Sequence, residues 1–157
     1  MPSLSELRQD LVTGAWIVVA TNRGKRPDEF KNKRPPEVSD DQKDCSFCNL
    51  IEDQNPVLEY KGAKGDWTVV SVPNKFPAFD FSRELNRREE GPFSVVNGVG
   101  FHEVIITRDH NLSIAQMETS RVIELISAYQ ERYLKLMNRR FVDYISIFHN
   151  HGRLAGA

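Results

Sequence analysis

Cys45 and Cys48 are the only cysteines in this 157-residue chain, and only Ser46 and Phe47 separate them. A disulfide closing so short a loop would remove little chain entropy, so the pair points to metal or redox chemistry. Thiolates at this spacing can both reach one zinc ion, with Zn–S bonds of about 2.3 Å. A closed structural site takes about four ligands, and His102, His110, His149 and His151 are the histidines available to complete it. A thioredoxin-like use of the motif needs it to open a helix after a strand. Here Pro35, Pro36 and an acidic, polar stretch precede the pair, and Asn49, Asp53, Asn55 and Pro56 follow it. Zinc is the favoured reading, ahead of redox chemistry and of two unliganded thiols.

His110 is the preferred third ligand. It follows Arg108 and Asp109 directly after a strand-like run; the competing reading is a surface histidine beside an aspartate. His102 lies inside an alternating pattern and reads as a packed or half-exposed histidine. His149 and His151 are two apart, so on a strand they face the same side. That spacing suits chelation and a pair of solvent-facing histidines equally.

A second chemical feature is basic. Arg23, Lys25, Arg26, Lys31, Lys33 and Arg34 fall within twelve positions, against only Asp28 and Glu29. Arginine forks match phosphate oxygens two at a time. Most charge runs are solvated loops. A nucleic-acid patch brings a larger net positive charge and interleaved aromatics, so a small phosphorylated ligand is the better functional reading.

The elements that must hold these residues follow from periodicity and punctuation. Residues 15–20 (AWIVVA) read as a strand ended by Asn22 and Gly24. Residues 23–44, with Pro27, Pro35 and Pro36, read as a long loop. Residues 67–72 (WTVVSV) form a second expected strand, closed by Pro73, Asn74 and Lys75. Residues 80–94, with Arg87-Arg88-Glu89-Glu90, read as a solvated loop, and 98–107 as a third strand. A helix is expected over about 118–138, because Val122, Ile126, Tyr129, Tyr133 and Met137 recur at steps of four and three. Arg139 and Arg140 suit its C-terminal dipole. Residues 144–148 (YISIF) read as a fourth strand. Short strands with one crossing helix imply an α+β architecture, an antiparallel sheet covered on one face.

Bulk composition narrows the function classes. A hydrophobic share of 39% suffices for one core, so one domain is expected. A net charge of −1 creates no field to recruit nucleic acid or a membrane surface. The opening MPSLSELRQD lacks a basic region followed by an apolar run, so no signal peptide is expected. No apolar stretch approaches the roughly 20 residues that span a bilayer. A cytoplasmic protein is the default expectation.

Several pieces stand in one order along the chain. They are Arg8-Gln9-Asp10-Leu11-Val12-Thr13-Gly14-Ala15-Trp16, Asn22-Arg23-Gly24-Lys25-Arg26-Pro27, Cys45-Ser46-Phe47-Cys48, Val72-Pro73-Asn74-Lys75-Phe76-Pro77-Ala78, His102-Glu103-Val104-Ile105-Ile106, Asp109-His110, and Phe148-His149-Asn150-His151-Gly152 running on to Gly156-Ala157. Together the sequence resembles the amino-terminal domain of galactose-1-phosphate uridylyltransferases, members of the histidine-triad superfamily, over nearly its whole length. The resemblance implies a half-barrel of antiparallel strands with one long helix packed on it. It implies exchange of a uridylyl group between glucose 1-phosphate and galactose 1-phosphate through a nucleotidyl-histidine intermediate. It also implies Cys45, Cys48 and His110 as zinc ligands, and Arg23, Arg26, Asn74, Asn150 and Gly156 as nucleotide contacts. Lys75 falls where some relatives carry an aspartate that contacts the ribose. UDP-hexose and hexose 1-phosphate are the implied partners, with a homodimer in the full-length family.

The chain also departs from the family pattern. The family continues from this point into a His-Pro-His segment, whose first histidine is the fourth zinc ligand and whose second is the nucleophile. Both positions are expected beyond Ala157, so residues 1–157 are expected to hold zinc and nucleotide without catalysing the transfer alone. Two further readings stay open: a related nucleotidyltransferase such as an ADP-glucose phosphorylase-like enzyme, and a non-catalytic zinc- and nucleotide-binding module.

Overall fold

The computed structural model describes residues 5–20, 45, 47–48, 55–81 and 84–151. These belong to two compact units. The first comprises Met1–Glu37 and Pro73–Glu103, the second Val38–Val72 and Val104–Ala157.

The first unit carries a four-stranded sheet of β1 (Glu6–Gln9), β2 (Trp16–Val19), β5 (Arg87–Glu90) and β6 (Phe93–Asn97), in the order β2-β1-β6-β5. All its pairings are antiparallel. The β1–β2 connection is pinned by Asp10, whose Oδ1 accepts from Val12 N, Thr13 N and Thr13 Oγ1 at 3.1, 2.7 and 2.8 Å. Gly14, at φ 71, completes that turn.

The charged run expected to be a loop is a strand. Glu90 faces Phe93 across a two-residue connection, Gly91-Pro92. Gly91 sits at φ 62, as a hairpin turn with glycine at its first central position requires. The charges are tolerated because they pair. Val95 lies in register between Arg8 and Arg88 and is fully buried. Arg88 Nη2 reaches Glu6 Oε1 at 2.6 Å, and Arg8 Nη2 reaches Glu6 and Glu90 at 2.9 and 3.0 Å. The four charged side chains thus close over one apolar residue, and their stems supply cover that a solvated loop would not.

The second unit carries β3 (Leu58–Lys61), β4 (Trp67–Pro73) and β7 (Glu103–Thr107), in the order β3-β4-β7. β4 is central, and Val69, Val70, Ser71 and Val72 are almost wholly buried. A central strand covered on both faces reads as a continuous apolar run rather than an alternating one. The bonds Asn74 N→His102 O (2.8 Å) and Arg108 N→Thr68 O (2.9 Å) bracket the antiparallel β4–β7 pairing.

Helix α1 (Thr119–Leu136) crosses this sheet. Ahead of it, Ser113 and Gln116 close a capping box on a short 3₁₀ turn, Ile114–Gln116. The helix forms where expected, but its inner face differs. Leu125 and Ala128 pack on Val69, with Leu58, Tyr60, Ile105, Ile114 and Tyr129 around them. Ile126, Tyr133 and Met137, expected inside, are exposed, as are Ile123 and Leu134. The helix carries two neighbouring apolar stripes, and periodicity alone does not choose between them. The stripe containing the small Ala128 lets the helix approach the sheet closely. Tyr60 ties the two together by donating to Glu131 Oε2 at 3.1 Å.

The α+β class expected from the sequence therefore forms, with its antiparallel strands shared between two sheets and one long helix. Two expected strands change. The run 98–107 is a strand only from Glu103, because Gly98 lies against Ser5 O, 2.9 Å from where a Cβ would stand, and Gly100 adopts φ 155. Residues 144–148 are not a strand: Tyr144 and Phe148 are 84% and 70% exposed. Their β-branched and aromatic composition favours a pleated, half-buried surface, and among the described residues no strand pairs with them. The basic run and the long loop at 23–44 lie outside the described residues.

Candidate functional site

His110 is delivered by the end of β7 and anchored on three sides. Arg108 N extends the ladder to Thr68 O at 2.9 Å. The Arg108 guanidinium lies 5.5 Å from the centre of the Trp67 ring and 3.6 Å from Asp66. Asp109 Oδ2 lies 3.0 Å from Arg121 Nε on α1, an ion pair rather than an aligned hydrogen bond. These contacts fix the two residues that precede His110.

Cys48 meets that imidazole: its Sγ lies 3.5 Å from His110 Nδ1. Among the described residues, the ligand atoms of Cys45, Cys48 and His110 all lie within 4.8 Å of one another. The distances fit one shared ion. Zinc bonds of about 2.3 Å to sulfur and 2.0 Å to nitrogen, at a tetrahedral angle, separate S and N by roughly 3.5 Å. Two sulfurs on the same ion stand roughly 3.8 Å apart. Two thiols and one imidazole, all half-buried, are also the donor set that zinc takes. Nδ1 is the ring nitrogen turned to the cluster.

The Cys48 thiol resists ionisation. Burial raises the Cys48 thiol above its ordinary value, and the Cys45 side chain adds to this through its hydrogen bond and charge; Arg108 pulls the other way. A redox-active Cys-x-x-C motif lowers the pKa of one thiol instead. Phe47 and Cys48 are helical, which is the one structural feature the redox reading shares.

The other expected residues separate into groups. Asn74, half-buried, and Lys75, exposed, follow β4 and belong to the first unit. Asn150 is exposed in the second. Arg23, Arg26 and Gly156 lie outside the described residues. His149 and His151 face each other, with ring centres 6.1 Å apart, and belong to no three-ligand group among the described residues.

His102 has more to do than its place in a strand pattern suggests. It precedes β7 and bonds to the segment after β4. Ala78 N donates to its Nδ1 at 2.9 Å, Asn74 N donates to its carbonyl at 2.8 Å, and Asn74 Nδ2 stands 3.2 Å from its Nε2. The paired glycines Gly98 and Gly100 were the available signal that the strand starts after this histidine.

The family described as galactose-1-phosphate uridyl transferase, N-terminal domain, matches residues 2–157. An ADP-glucose phosphorylase of Arabidopsis thaliana is 29% identical over 157 residues, covering 97% of this chain and 45% of that protein. A galactose-1-phosphate uridylyltransferase of Thermotoga maritima is 27% identical over 160 residues, covering 98% of this chain and 43% of that protein. The chain therefore spans less than half the length of either relative. No solved structure matches it significantly.

Proposed function

Since the chain belongs to the galactose-1-phosphate uridyl transferase family, through its N-terminal domain, we propose that residues 1–157 are the zinc- and nucleotide-binding first domain of a hexose-1-phosphate uridylyltransferase. The observation that carries this reading is the convergence of Cys45, Cys48 and His110 in a chain the family matches end to end. Cys45, Cys48 and His110 would hold the zinc, which supplies structural cross-linking when bound. Arg23, Arg26, Asn74, Lys75, Asn150 and Gly156 would contact the nucleotide. The substrates are UDP-glucose and galactose 1-phosphate, and the enzyme is a cytoplasmic homodimer with no nucleic-acid or membrane partner.

In the proposed reaction a neutral histidine attacks the α-phosphorus of UDP-glucose and glucose 1-phosphate leaves. Galactose 1-phosphate then attacks the uridylyl-histidine, releasing UDP-galactose and restoring the imidazole. Two easier displacements replace one difficult transfer. The nucleophile and the fourth zinc ligand are assigned to sequence following Ala157. Residues 1–157 span less than half the length of either relative. The role of residues 1–157 is to orient the nucleotide, with arginine forks on the phosphate oxygens.

A second reading, transfer of an adenylyl rather than a uridylyl group, is favoured by the 29% identity to an ADP-glucose phosphorylase. Calorimetry with UDP-glucose and with ADP-glucose separates the two. The proposal expects tighter binding of UDP-glucose, weakened about tenfold by Arg26→Ala, as loss of a charge-assisted hydrogen bond entails. Equal binding by both proteins refutes the phosphate assignment, and a preference for ADP-glucose supports the second reading.

A further inference from the structure

The contacts between His102 and the segment after β4 contain a conflict that assigns His102 a role. Ala78 N donates to Nδ1 at 2.9 Å. Phe76 N donates to Asn74 Oδ1 at 2.8 Å, which turns the Asn74 amide nitrogen toward Nε2, 3.2 Å away. A neutral imidazole has one bare nitrogen and one N–H. It cannot accept from Ala78 and from Asn74 at once, so only two of these three contacts are hydrogen bonds at any moment.

The main-chain donors decide which. Ala78 is buried, and a buried backbone N–H left without an acceptor costs about 1–3 kcal/mol. The Ala78 bond is therefore kept, and the ring carries its proton on Nε2. That N–H meets Asn74 as a donor. The Asn74 amide then either turns its oxygen to accept from His102, giving up Phe76, or keeps its oxygen on Phe76 with its NH₂ set donor to donor against Nε2–H. A third bond, Asn74 N→His102 O at 2.8 Å, fixes the backbone of Asn74 in either case.

We propose that His102 is the positioning residue for Asn74: held as the Nε2–H tautomer by Ala78, it fixes the turn at residues 74–78 and sets which end of the Asn74 amide faces a nucleotide oxygen. This rests on the reading of Asn74 as a nucleotide contact. With its oxygen accepting from His102 Nε2–H, the Asn74 amide turns its NH₂ away from the ring and toward the Phe76 N–H, where an arriving ribose or phosphate oxygen accepts from both.

The test combines a tautomer measurement with a double-mutant cycle on the purified protein. Long-range ¹H–¹⁵N spectra of the unaltered protein are expected to show His102 protonated on Nε2 and bare on Nδ1. Protonation on Nδ1 overturns the proposal without any variant. Calorimetry with UDP-glucose and ADP-glucose then compares His102→Leu, Asn74→Ala and the double variant, with melting temperature and zinc content as controls for folding. Each single variant is expected to weaken binding of the preferred nucleotide sugar about tenfold, and the double variant no further than either, the non-additivity of residues acting as one unit. His102→Asn, whose Oδ1 replaces Nδ1 as acceptor for Ala78, is expected to recover most of the loss. If Asn74→Ala weakens binding while His102→Leu does not, or the two losses multiply, His102 does not act through Asn74 and the nucleotide reading stands without it. If neither variant weakens binding, Asn74 is not a nucleotide contact and both readings fall.

Discussion

Replacing Leu125 with alanine tests which face of α1 builds the core. Leu125 is 2% exposed and packs on Val69 and Ala128, both at 0%. Removing its branched end forfeits about 2 kcal/mol of transfer free energy and leaves a void among residues that relax only partly, for a total of about 3–4 kcal/mol. Ile126 is the neighbouring residue and 55% exposed. Ile126→Ala should change stability by only about 0.5 kcal/mol, the range of surface substitutions. Urea unfolding monitored by tryptophan fluorescence and by circular dichroism measures both. For a chain of this size the Leu125 loss corresponds to a fall in melting temperature of roughly 6–16 °C. If Leu125→Ala costs under 1 kcal/mol, or Ile126→Ala costs as much as Leu125→Ala, the helix buries the other stripe and the packing described above is wrong.

Other predictions concern charge and metal. The Asp10 carboxyl is held below its ordinary value of 3.8, first by the Thr13 backbone N–H, then by the Thr13 hydroxyl and the Val12 N–H. Its contribution to the β1–β2 turn is therefore present above the unfolded pKa and lost as pH falls through the folded value. An NMR titration should place the Asp10 midpoint below the ordinary range, with Asp10→Asn removing that part of the acid dependence; a midpoint at or above 3.8 contradicts the turn geometry. Zinc binding should release protons from both thiols, so competition titrations should show affinity rising with pH toward a slope of two protons per zinc. A slope near zero excludes thiolate ligation. A strong chelator should lower the melting temperature, because structural zinc contributes to folding directly, and an unchanged transition counts against a structural role.

Much of the architecture is legible in the sequence where local pattern and burial agree. The run at 67–72 becomes the central strand because its valines are buried on both faces, and α1 forms over the expected stretch. The misreadings share one physical origin, since propensity describes a segment and not its partners. Arg87-Arg88-Glu89-Glu90 is a strand because Glu6 and Arg8, some eighty residues away, neutralise it. Residues 144–148 have strand composition and no partner among the described residues. The buried face of α1 is Leu125, Ala128 and Arg132, with Tyr129 beside it, and a face that includes an arginine is not marked by apolar spacing. In the site, the Cys-x-x-C spacing and the strand-end position of His110 were readable, and the structure brings the three side chains together. The role of His102 was not readable, because its partners Asn74 and Ala78 are distant in sequence and meet it only through the turn after β4.

One ion held by Cys45, Cys48 and His110 is the central expectation. Elemental analysis of the purified protein, with X-ray absorption at the zinc edge, tests it directly. About one zinc per chain is expected, with sulfur neighbours near 2.3 Å and nitrogen near 2.0 Å. Metal-free protein whose Cys45 and Cys48 are both freely alkylated, with or without added zinc, would contradict it.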